Sequence, residues 1–167
     1  MLNLVKQAQK GDGEAFIQLM EGQKQNMYKV ARSYLKCEDD VADAMQQTIL
    51  DCFEKLHTLR QPRFFKTWMT KILINNCNDI VRRCKRIQPM EELKEIQWED
   101  RAPDLMEFLD TLDSLDEKYR TILILYYVEE FQINEIAQIL NMNESTVNSR
   151  LQRGRKCYKE MILHVGS

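Results

Sequence analysis

Asn148, Ser149, Gln152 and Arg153 fall within two turns of what would be one helix. Asn, Gln and Arg are the side chains able to place two hydrogen bonds on a single base edge. Thr146 shares their face, while Arg150, Arg155 and Lys156 flank it with charge suited to phosphate. A second set lies upstream. Phe64, Trp68, Lys71, Asn75, Asn78 and Arg82 recur at helical spacing. Aromatic, amide and cation on one face make a platform for unpaired bases, whose stacking is worth about 1–3 kcal/mol each. A third set, Asp40, Asp43, Gln47, Asp51 and Glu54, is a mainly acidic stripe that fits either solvent or a protein partner. Plain packing offers alternatives: a three-helix motif with a polar outer face, and Trp68 as a core residue. Asn75 and Asn76 resist the packing account, because Asn is a poor mid-helix residue unless its amide has a use.

The elements around the first set are legible. Ser114 and Glu117 fit a capping box that opens a helix to about Val128, with Ile122, Leu123, Leu125 and Tyr126 feeding a core. A second helix begins near Ile133 or Asn134. Ala137 is small enough for close approach, Asn141 tolerates the left-handed turn, and Asn143 caps the next helix. Met142 and Val147 bracket that cap as a hydrophobic staple, and Leu151 continues the inner face. This is helix-turn-helix spacing. Residues 39–57 read as an amphipathic helix buried through Met45, Ile49, Cys52, Phe53 and Leu56. Residues 58–63 form a loop with Pro62, and Phe65, Met69, Ile72, Leu73 and Ile80 point inward from the helix that follows.

The chain has 167 residues, 30% of them charged, with only five Gly and three Pro. Few breakers and many good helix formers favour an all-α protein. The net charge of −2 conceals segregation. Arg60, Arg63, Lys66, Lys71, Arg82, Arg83, Lys85 and Arg86 stand against a single acid, Asp79, between residues 60 and 86. Residues 91–117 carry eleven acids against Lys94 and Arg101. Two basic islands parted by an acidic stretch suggest two anion-binding surfaces. The stretch 87–104, with Pro89 and Pro103, reads as a flexible acidic linker between small helical domains at 1–86 and 105–167.

Other classes recede. The N-terminus carries no signal-peptide pattern, and the longest apolar run, Ile122 to Val128, is far too short for membrane insertion. A cytoplasmic protein is expected. Cys37, Cys52, Cys77, Cys84 and Cys157 form no CxxC pair and read as buried, reduced thiols. No metal or cofactor motif is present, and no convergent acid, base and nucleophile set supports an enzyme. A stand-alone helix-turn-helix regulator and a helical adaptor remain open on this ground alone.

KGDGEAF (10–16), DDVADAMQQTIL (39–50), FFKTWMTKILINNCNDIVRR (64–83), LDSLDEKYRTILILYY (112–127) and INEIAQILNMNESTVNSRLQRGR (133–155) occur in that order. With the acidic segment between them, the chain resembles the bacterial extracytoplasmic-function sigma factors over nearly its whole length. The resemblance implies a region 2 helical bundle and a region 4 helix-turn-helix. It implies that Asp40, Asp43, Gln46 and Gln47 dock on the coiled coil of the polymerase β′ subunit. It implies that the loop Leu59 to Arg63, with Arg60, joins Phe64, Lys66, Trp68, Lys71, Asn75, Asn78 and Arg82 in receiving the melted −10 element. Thr146, Asn148, Ser149, Arg150, Gln152, Arg153 and Lys156 would meet the −35 duplex, while the first helices of the second domain rest on the β flap. An anti-sigma factor commonly holds such proteins inactive. Gln47 stands where many members have an acid, Leu59 where an aromatic is frequent, and Asp116 where Pro is common.

Overall fold

The computed structural model describes residues 1–87 and 103–165, all of the regular structure among them helical. The chain divides into two compact units, Met1–Glu92 and Leu93–Ser167. The first holds α1 (Leu2–Gln9), α2 (Gly13–Tyr34), α3 (Glu38–Lys55) and α4 (Phe65–Ile87). The second holds α5 (Pro103–Asp113), α6 (Glu117–Leu123), α7 (Ile133–Leu140) and α8 (Glu144–Val165). Most of the expected linker lies outside the described residues.

In the first unit, α1 reverses through Gly11 at φ +95°, where a side chain would be strained. Asp12 then starts α2 by accepting the Ala15 amide at 3.1 Å. Glu38, Asp39 and Asp40 occupy the first turn of α3, where the helix dipole favours acids. The core gathers Val5, Leu19, Met27, Val30, Phe65, Met69 and Leu73. Helices α3 and α4 pack antiparallel, since Thr48 and Asp51 both meet Asn76 while Asp40 lies in the field of Arg83.

The buried side of α3 differs from the expected one. Val41, Ala44, Thr48 and Cys52 are the residues sealed in the seam, whereas Met45 and Ile49 are half-buried. Phe53 is 65% exposed, leaning edge-on against Phe16 at 5.3 Å. Small side chains let the two helices approach, so the bulkier residues are displaced outward. Two cysteines also depart from expectation: Cys37 and Cys84 are exposed. Cys52 behaves as a core thiol, its pKa pushed up to about 12 chiefly by burial.

In the second unit Ser114 is not a cap. Its amide and that of Leu115 close α5 onto Thr111 and Leu112, and α6 begins after Asp116. The guanidinium of Arg120, 6% exposed, donates to the carbonyls of Asp113 and Leu115 at this corner. The reciprocal capping box falls instead at Gln132 and Glu135, opening α7. The helix expected to reach Val128 ends in a π turn over Ile124–Val128. The α7–α8 corner is as anticipated. Asn141 adopts φ 52°, ψ 49°, and Asn143 accepts the Thr146 amide at 2.8 Å. Val147 and Leu151 are buried, and Gly154 lies so close to α6 that a Cβ there would meet Leu123 and Tyr119 at 3.4 Å.

Asn76→Ala removes a polar clasp between α3 and α4. It is expected to lower the stability of the first unit by about 1–3 kcal/mol in urea unfolding. An unchanged midpoint would mean that apolar packing alone sets the register.

Candidate nucleic-acid interfaces

Helix α8 is held by Val147, Leu151 and Gly154, and this fixes its outer face. Asn148, Ser149, Gln152, Arg153 and Lys156 are exposed there, with Thr146 and Arg150 half-buried. The amide-bearing and cationic side chains thus stand together on a helix that projects from a helix-turn-helix. Arg155 is engaged within the protein: its Nε donates to the Tyr127 hydroxyl, and its guanidinium lies 5.5 Å from the centroids of both Tyr126 and Tyr127. Tyr126, expected in the core, is half-buried and turned to this contact, and Tyr127 beside it is a partner that the sequence reading does not single out.

In the first unit, α4 and the 3-10 turn that leads into it carry the aromatic and amide stripe. Phe64 is 43% exposed, with the Arg63 guanidinium stacked 4.7 Å above its ring. Trp68 is half-buried, tilted against Phe65 at 6.0 Å, so it serves the core and the surface together. Lys71, Asn75 and Arg82 are exposed, and Lys66 and Asn78 are half-buried. Arg82 contacts Asp79 at 2.6 Å, but both side chains are well exposed, and such a pair yields readily to phosphate. The two neighbouring asparagines part company. Asn75 faces solvent, while Asn76 donates inward to Thr48 Oγ1 at 3.1 Å and Asp51 Oδ2 at 2.9 Å.

The loop before α4 consists of two short 3-10 turns, Leu56–Thr58 and Pro62–Phe64, on either side of Leu59, Arg60 and Gln61. Leu59 is half-buried and Arg60 exposed. Gln9, absent from the sequence-based candidates, donates to the carbonyls of Leu56 and Leu59 at 3.1 and 2.8 Å.

On α3, Asp43, Gln46 and Gln47 are exposed and Asp40 is partly covered. Burial pushes the Asp40 carboxyl above its ordinary range, Asp43 and Asp39 add to the rise, and Arg83 opposes it. Gln47 donates to Asp51 at 3.1 Å, and Asp51 is turned toward α4 rather than out to a partner. A groove joins this stripe to the basic end of α4, lined among others by Asp43, Gln46, Leu50, Arg82 and Arg83. Residues assigned to different partners, Asp43 and Arg82, therefore border one depression. Among the described residues, no group of three or more His, Cys, Asp or Glu could hold a metal ion. No described helix is long and apolar enough to cross a membrane.

Residues 19–87 match the Sigma-70 region 2 family and residues 105–157 match Sigma-70, region 4. RNA polymerase sigma factor SigV of Bacillus subtilis (strain 168) is 36% identical over 138 residues, spanning 80% of this chain and 82% of SigV. ECF RNA polymerase sigma factor SigW of the same organism is 26% identical over 176 residues, spanning 95% and 94%. Among solved structures, CnrH in complex with the cytosolic domain of CnrY matches with a TM-score of 0.73 at 25% identity, covering 99% of this chain and 98% of that one. The sigma factor RpoE of Bartonella quintana, solved with the anti-sigma factor NepR, shares the fold with a TM-score of 0.76 at 22% identity over 88% and 96%. With both regions matched in order and SigV alike along most of its length, the chain belongs to the extracytoplasmic-function (ECF) sigma factors.

Proposed function

We propose that this sigma factor selects promoters by reading two separated DNA elements while docked on core RNA polymerase in the cytoplasm. Asn148, Ser149, Gln152 and Arg153 read the −35 duplex in the major groove, with Thr146, Arg150 and Lys156 completing the contact. Phe64, Trp68, Asn75 and Asn78 receive the melted −10 strand, with Lys66, Lys71, Arg82 and the loop from Leu59 through Arg60 to Arg63 around it. Asp40, Asp43, Gln46 and Gln47 meet the β′ coiled coil, and α5 and α6 rest on the β flap.

The observation that carries this reading is the outward set of α8: base-reading side chains exposed along one face, and Val147, Leu151 and Gly154 sealed on the other. The α3 stripe supports the polymerase contact electrostatically. Burial raises Asp40 first and the carboxylates of Asp43 and Asp39 add to the rise, a repulsion that a cationic partner would relieve. Exposed Leu50 and Phe53 extend the stripe with apolar area. A regulatory protein of the anti-sigma kind is a further partner; the similar CnrH was solved with a bound protein segment, the cytosolic domain of CnrY.

Energetics favour a division of labour. One bidentate base contact discriminates by about 1–3 kcal/mol, too little to locate a promoter. Unpairing the −10 bases costs a few kcal/mol, which capture of the flipped bases returns in part. Fixing both units on polymerase makes the second DNA contact intramolecular and raises its effective concentration. The direct test is transcription by purified core polymerase on a promoter library, with and without this chain. Start-site selection should appear only with the chain present.

Two further outcomes separate the roles. Trp68→Ala combined with Asn75→Ala should lower promoter opening by about tenfold or more, from lost stacking, with polymerase assembly intact. Asp43→Arg should abolish assembly, and promoter opening with it; assembly lost in the first variant but kept in this one would exchange the two surfaces. Gln152→Ala should weaken −35 discrimination. Arg153→Ala should also flatten the salt dependence of promoter binding by about 0.9 in log–log slope per lost phosphate contact. Unchanged promoter choice in both variants would leave α8 as a packing helix.

A further inference from the structure

We infer that Gln9 is a positioning residue for −10 recognition, a strap that sets the shape of the loop Leu59 to Arg63. The inference rests on the reading above that this loop meets the promoter. Gln9 is the last residue of α1, outside the 19–87 span matched to region 2. Its Nε2 donates to the Leu56 carbonyl at 3.1 Å and the Leu59 carbonyl at 2.8 Å, across 47 and 50 residues of chain. One planar amide nitrogen carries two N–H groups, so it can satisfy both carbonyls at once.

The position of those carbonyls gives the contact its leverage. Leu56 opens the first 3-10 turn, and Leu59 is where the backbone leaves it for the extended conformation, at φ −70°, ψ 106°. The loop's own bonds are local: Leu59 N to Leu56 O, Phe64 N to Gln61 O, and Arg63 Nε to Gln61 Oε1. These shape each turn without fixing the loop to the body of the domain. Gln9 supplies that tie, and α1 packs against both 3-10 turns. With Leu59 pinned, the exposed Arg60 and Gln61 stand at a defined height beside Phe64. A pocket that accepts one base and rejects others needs its walls preorganised to within a fraction of an ångström.

Gln9→Glu keeps the shape, removes both donors and sets a carboxylate against two carbonyls. Gln9→Met keeps the apolar stem without charge, and serves where Gln9→Glu fails to fold. Each full-length variant is assembled with core polymerase and assayed on a promoter library randomised at −10 and, separately, at −35. Base discrimination at −10 should fall roughly three- to tenfold, about the net worth of one hydrogen bond. The −35 preference, core assembly and helix content should match the unsubstituted protein. Amide hydrogen exchange over residues 56–63 should quicken by a similar factor. Retention of full −10 discrimination and loop protection in the variants would overturn the role of Gln9 and leave the promoter reading intact. Absence of any −10 preference in the unsubstituted holoenzyme would overturn both.

Discussion

Asn76 turns its amide into the seam of the first unit, onto Thr48 and Asp51, and that clasp fixes how α3 lies along α4. A rotation of either helix would break both bonds and leave the half-buried Asn76 amide and Asp51 carboxylate without these partners, at a cost of about 1–3 kcal/mol. Everything outward follows from this register. With Val41, Ala44, Thr48 and Cys52 committed to the seam, Asp43, Gln46, Leu50 and Phe53 must face out. With Phe65, Met69, Leu73 and Asn76 committed inward, Phe64, Lys71 and Asn75 are left for solvent. Two surfaces of different character thus arise from one packing decision, and they meet along the groove between Asp43 and Arg82.

The second unit reaches a similar result by different means. Helix α8 is placed by close backbone approach at Gly154 and by the Asn141–Asn143 corner. Tyr126 and Tyr127 add a shelf for Arg155, which draws that cation toward the protein. Arg150, Arg153 and Lys156 are then left beside the amides that would read bases. Phosphate contacts position a protein while base contacts specify, and side chains suited to each are interleaved along this helix.

Much of this was legible in residue types. Asn141 and Asn143 announced the corner because few residues tolerate a left-handed turn and few make good caps. The exposed stripe of α4 was legible from its 3.6-residue spacing. Three features were hidden for physical reasons. Phe53 was expected inside, because hydrophobicity does not reveal that a close helix seam favours Ala and Thr over bulk. Ser114 and Glu117 mimic a capping box, yet Arg120 and the closing turn of α5 take over that corner. The pairs Asn76–Thr48 and Gln9–Leu59 join residues far apart in sequence, and no local spacing encodes them. Asn76 did leave a sign, being a poor helix residue in need of a partner, whereas Gln9 left none.

Under the proposed function, DNA recognition is conditional on assembly with polymerase. Each unit would offer a few contacts of modest worth, and a fixed separation would let them add within one complex. The most direct measurement is equilibrium binding of one promoter duplex to this chain alone, to core polymerase alone and to the two together at a single salt concentration. The account predicts sequence-specific retention by the pair and by neither component singly. Equal specific affinity for the isolated chain, or a mixture that binds no more selectively than core polymerase, would contradict it.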